Sequence, residues 1–161
     1  MPETYNNAFG AQLTVKDVLA EIMAFMAAAP TRRYRVTIGT DSELLANKAA
    51  DFVSAIVVHR IGNGGRYFWQ RYQLGPFYTL RDRIIREVLI SIDVAKEIVA
   101  ELEKVRGELP EFEFEIHADV GQNGPTKQMI QEVVGMIRAN NFEARTKPES
   151  YAATNVADRH V

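Results

Sequence analysis

Hydrophobic and polar residues change period several times along this chain, and each change marks a predicted element. Residues before Thr14 show no clear period and are expected to be loosely held. Val15, Val18, Leu19, Ile22, Met23 and Met26 then recur at helical spacing, with Thr14 placed as N-cap, Asp17 in the first turn and Pro30 closing the segment. A period of two predicts strands over residues 34–40, 52–60 and 66–74, the last two joined by the turn Gly62-Asn63-Gly64-Gly65. The third of these alternates aromatic and polar residues, as an exposed outer strand does. Its Tyr67, Phe68, Trp69 and Tyr72 are candidates for base stacking, although packing is the commoner role.

From Thr79 the period lengthens again. Ile84, Ile85, Val88, Ile92, Ala95, Val99 and Leu102 make one apolar stripe of a long helix, with Glu87, Ser91 and Ile98 along its flank. A fourth strand covers residues 112–121. A helix follows through Met129, Ile130, Val133, Val134 and Ile137, then a fifth strand at 142–147 and a short Ala-rich helix from Ser150 to the end. This order predicts an α/β fold with a mixed five-stranded sheet flanked by helices. The 161 residues suit a single domain, with residues 1–33 as an N-terminal extension carrying one helix.

Composition narrows the function classes. There is no cysteine, hence no disulfide, thiolate nucleophile or Cys-based zinc site. No apolar run approaches membrane-spanning length, and MPETYNNAFG lacks the pattern of a signal peptide, so a cytoplasmic protein with no membrane partner is expected. The net charge of −2 argues against a general polyanion binder. One local exception is the run Arg60, Arg66, Arg71, Arg81, Arg83 and Arg86, against Asp82 alone; a solvated hairpin and helix explain it equally well. The outer third strand leaves an edge on which a second copy or a partner can pair, giving a homo-oligomer.

The candidate chemistry sits at two strand ends. In Val36-Thr37-Ile38-Gly39-Thr40-Asp41 the alternation puts Asp41 at the C-terminal lip, on the face of Thr37 and Gly39. In the fourth strand Glu113, Glu115, His117 and Asp119 share a face, and Asp119 again ends the run beside a glycine. A lone strand-end Asp more often caps a turn. Two on neighbouring parallel strands stand about 5 Å apart and repel unless a cation lies between them. A divalent ion bound through oxygen is the usual answer. Glu87, on the flank of the long helix, either looks into such a site or pairs with Arg83 or Arg86. Lys127 follows a glycine-containing loop at a helix start, although no phosphate-loop pattern is present.

The stretches IGTDSE, AIVVHRIGNGGRYFWQR, TLRDRIIREV, IHADVGQNGPTKQMIQEVVGMI and KPESYAATNVADRH resemble the YkuK-type family of predicted ribonuclease H-related nucleases, within the ribonuclease H-like superfamily. The resemblance covers nearly everything after Tyr34. It implies a nuclease that hydrolyses phosphodiester bonds in RNA, DNA or a hybrid with Mg²⁺ or Mn²⁺. Asp41 and Asp119 would be the strand-end ligands, Asp158 the acid of the last helix, and Glu87 the acid of the long helix, with Asp82 as the other candidate. Lys127, Lys147 and Arg83 would hold phosphates, and His117 and His160 would be available for proton transfer. Two other readings share the fold: a nucleic-acid or protein-binding module without catalysis, and nucleotide hydrolysis.

Overall fold

The computed structural model describes residues 2–148. Ten elements run in the order β1 (Thr4–Asn7), β2 (Gln12–Thr14), α1 (Val15–Ala27), β3 (Tyr34–Leu44), β4 (Ala50–Arg60), β5 (Gly65–Leu74), α2 (Leu80–Lys104), β6 (Phe112–His117), α3 (Ile130–Ala139) and β7 (Glu143–Arg145). The sheet order is β2-β1-β5-β4-β3-β6-β7. The pairings β3–β6 and β6–β7 are parallel, and the other four are antiparallel. The five expected strands are all present, in an α/β architecture. The helix expected after Ser150 lies outside the described residues.

Two further strands come from the segment expected to be loose. β1 and β2 form a hairpin, and Asn6 and Asn7 of β1 pair with Trp69 and Phe68 of β5. Gln70 Nε2 donates to the carbonyls of Pro2 and Thr4 at 3.0 and 3.2 Å. The segment had no period to read because ladder hydrogen bonds are made by backbone groups and are indifferent to side chains. As a consequence β5 is not an outer strand, and its middle is covered by the chain's own N-terminus.

Local rules place the helices. Thr14 Oγ1 accepts from Asp17 N while Asp17 accepts from Thr14 N, a reciprocal cap on α1. The Tyr34 hydroxyl shares its one proton between Ala29 O at 2.9 Å and Met26 O at 3.1 Å, and Arg60 Nη2 donates to Phe25 O, so side chains meet carbonyls left open at the end of α1. Thr79 caps α2 by accepting from Asp82 N. The β4–β5 turn needs left-handed backbone at Gly62 and Gly64, with φ of 79° and 84°, a region open to glycine without penalty.

All three helices feed one core. Val36, Ile38, Phe52, Ile56, Val58, Phe68 and Ile116 on the sheet meet Ile22 and Met26 of α1, Val88 and Ile98 of α2, and Val133 and Ile137 of α3. Phe68 is fully buried and Tyr72 stacks on Phe52, so two of the four candidate stacking aromatics are packing residues. Tyr67 and Trp69 lie with Ala55 and Val57 in a separate cluster. The arginines of the 60–86 run are engaged in several different contacts. Arg60 and Arg66 stand over the Phe25 ring, Arg71 pairs with Asp51, Arg81 with Glu132, and Arg86 stands over Phe77.

Candidate metal centre

The parallel ladder between β3 and β6 ends at Gly39 opposite His117. Two residues further in the same register come Asp41 and Asp119, so the ladder itself delivers the two carboxylates to one place. Only one of them leaves its strand as expected. β3 continues to Leu44, because β4 keeps pairing with it, Asp41 opposite Val53 and Leu44 opposite Ala50. Asp41 therefore lies inside a strand and is paired on its β4 side, and the irregular stretch expected from residue 42 shrinks to the turn at 45–49.

α2 supplies the third carboxylate. Glu87 is 2% exposed, in the row with Ser91 and Ile98 that the helical stripe predicted as a flank. That row is buried as deeply as the stripe because the sheet reaches past it: Ser91 Oγ donates to Thr40 Oγ1 at 2.8 Å, and Ser42 Oγ donates to Glu87 Oε2 at 2.5 Å. Arg83 Nη1 donates to both Ser42 O and Ser42 Oγ, at 2.8 and 3.1 Å, which fixes the serine. Glu87 is thus oriented by Ser42 and does not pair directly with Arg83 or Arg86. Its other oxygen, Oε1, is buried without a hydrogen-bond partner among the described residues.

Asp41, Glu87 and Asp119 each offer one oxygen within 4.8 Å of the others. Two of the three resist ionisation. Burial pushes the Asp41 carboxyl up to about 6, helped by the charge of Asp119 and a hydrogen bond to it, and opposed by Ser42 N and the more distant Lys147. Burial likewise raises Glu87 well above the usual carboxylate range; the Ser42 hydrogen bond opposes this, and the charges of Asp41 and Asp119 add to it. The donor set is oxygen alone and its charge is negative, which fits a hard divalent cation. An orphaned, buried Glu87 Oε1 fits the same group, since an unpaired acceptor in the interior is costly.

The other candidates fall in different places. Lys147 Nζ stands 2.7 Å from Asp119 Oδ1, so its nearest partner is a carboxylate of the centre. Lys127 is exposed at the start of a 3-10 turn, Lys127–Met129, and is not among the charges acting on Asp41 or Glu87. Asp82 is exposed in the first turn of α2, a full turn and more before Glu87. His117 is buried and its Nε2 lies 3.2 Å from Glu115 Oε1; Glu115 also meets Arg35 and Arg145. Burial holds His117 below the usual imidazole range, against the pull of Glu115. Asp158 and His160 lie outside the described residues. Sequence reasoning missed Ser42; its only signal was a hydroxyl directly after a strand aspartate.

Comparison with known proteins gives a consistent relationship. A family model described as Ribonuclease H-like matches residues 17–161. A protein of Bacillus subtilis (strain 168) with the name Uncharacterized protein YkuK is 33% identical over 164 residues, covering 96% of this chain and 95% of that protein. No solved structure matches.

Proposed function

This chain belongs to the ribonuclease H-like family, to its YkuK type, and on that premise we propose that it hydrolyses phosphodiester bonds in nucleic acid at a carboxylate-held Mg²⁺ or Mn²⁺ centre. The observation that carries the reading is Glu87. A buried carboxylate with one oxygen fixed by Ser42 and the other unpartnered among the described residues, beside Asp41 and Asp119, has a structural cost that packing alone does not offset.

Asp41, Glu87 and Asp119 would hold the ion, with Asp158 as a further ligand on the family resemblance. When bound, the ion would supply charge to polarise the phosphodiester and to acidify water at neutral pH. The chain's own groups prepare the place. Ser42 and Arg83 fix the Glu87 rotamer, β3 holds Asp41 in extended backbone, and the burial of Glu87 keeps bulk water from weakening the local field. Arg83, Lys127 and Lys147 are the cations proposed to meet substrate phosphates. Lys147 lies at the centre itself, Arg83 on its Ser42 side, and Lys127 in the turn after Asp119.

Labelled RNA, DNA and hybrid strands incubated with MnCl₂ test the proposal, with Asp41→Asn and Glu87→Gln as controls. Metal-dependent cleavage by the wild type that both variants lose is the expected result. Salt-sensitive binding of a strand with no cleavage by any of the three proteins would replace this reading with that of a binding module.

A further inference from the structure

Lys147 is placed on Asp119 by the backbone around it. Ala118 N donates to Arg145 O and Lys147 N donates to Val120 O, each at 2.8 Å, so the chain beyond β7 stays laced to the chain beyond β6 after both strands have ended. The stem of Lys147 then runs across Gly121. A Cβ at residue 121 would lie 2.8 Å from Lys147 Cβ, closer than two carbon atoms approach without one moving. Gly121 N donates to Thr126 Oγ1 at 3.1 Å, which ties that crossing point to the loop before α3. Two backbone hydrogen bonds, a glycine that leaves room and a 2.7 Å ion pair all serve one ammonium position.

We propose that Lys147 is a resident counter-cation of the carboxylate centre, which occupies Asp119 until a divalent ion enters and is then displaced from it, so that this exchange sets the metal affinity. The proposal rests on the reading of Asp41, Glu87 and Asp119 as a metal centre. Its physical basis is competition. Asp119 Oδ1 is the atom nearest the ammonium, and two cations on neighbouring lone pairs of one carboxylate repel each other. The ion must therefore bind against Lys147 or move it. The same pair lets three acidic groups be folded close together before any ion arrives. A displaced ammonium remains tethered through Lys147 N to Val120 O, at the mouth of the centre, where the oxygens of a phosphodiester are its next available partner.

Calorimetric titration of the full chain with MnCl₂ separates the possibilities, using wild type, Lys147→Met and Gly121→Ala. Lys147→Met keeps the stem and removes the charge, and is expected to bind Mn²⁺ up to about fivefold tighter, the range set by a partly exposed ion pair. Gly121→Ala keeps the charge but forces the stem off its path, and is expected to tighten binding in the same direction. A lysine acting only as a nearby charge would respond in the first variant and not in the second. Unchanged or weaker binding by Lys147→Met, or a Gly121→Ala protein that titrates like the wild type, overturns the exchange and leaves the metal centre standing. No Mn²⁺ binding by any of the three overturns the centre, and the exchange with it.

Discussion

The centre depends on a few residues that are not themselves carboxylates. Ser42 holds Glu87 Oε2 and is held by Arg83, so it decides which way the buried acid faces. Ser42→Ala is expected to weaken Mn²⁺ binding by about 10- to 100-fold, the usual cost of losing a partner that orients a ligand, and to lower the unfolding midpoint as well, because a buried oxygen of Glu87 loses its donor. Calorimetry and thermal unfolding of the one variant check both halves. Asp41 gives a pH signature with a definite sign. Its native pKa is raised from 3.8 to about 6, so between those values the native state holds a proton that the unfolded chain releases. Stability without added metal therefore falls as pH rises through that window and is level above it. His117, whose pKa is lowered, works in the opposite direction. The Asp41 contribution is isolated by subtracting urea unfolding curves of Asp41→Asn from those of the wild type, measured in chelator from pH 3.5 to pH 7 at intervals of about half a unit. The wild-type stability minus that of Asp41→Asn is expected to fall with pH in the window and then level. A flat difference would mean that neither burial nor the neighbouring carboxylates hold the Asp41 proton in the native state.

At the scale of elements, α2 is the part whose position matters most, because it carries Glu87 to the sheet. Its start is fixed by Thr79, and Thr79→Ala is expected to cost about 1 kcal/mol in urea unfolding. The metal response should survive, since Glu87 lies two turns further on. Both helix starts were legible in the sequence, because Thr14 with Asp17 and Thr79 with Asp82 are local hydrogen-bonding patterns. The strands β3 to β6 were legible through alternation, as was the register logic that pairs Asp41 with Asp119. What was not legible is what depends on distant backbone. β1 joins β5 through ladder bonds that Asn6 and Asn7 do not advertise, and β3 runs on past Asp41 because β4 lies alongside it. The depth of Glu87 was underread for a related reason. A helical wheel gives one apolar stripe, whereas Ser42, Thr40 and Ser91 bury the adjoining row through hydroxyl contacts.

For the molecule as a whole, the charge distribution limits how a polyanion could be met. The net charge is −2, and the arginines between residues 60 and 86 are divided among ring contacts, ion pairs and the Ser42 contact of Arg83. On the proposed function, a nucleic-acid strand would be met at the mouth of the centre, where Lys147 and Arg83 stand. Among the described residues no helix is long and apolar enough to cross a membrane, including the 25-residue α2. The whole account turns on the three clustered carboxylates holding a divalent ion. Thermal unfolding of wild type and Asp41→Asn against MnCl₂ tests that most directly. An ion at about ten times its dissociation constant adds about 1.4 kcal/mol, a midpoint rise of about 3–6 °C for a chain of this size. A saturable rise in the wild type that Asp41→Asn lacks is the expected result; equal responses in the two proteins, or none in either, would contradict the metal centre.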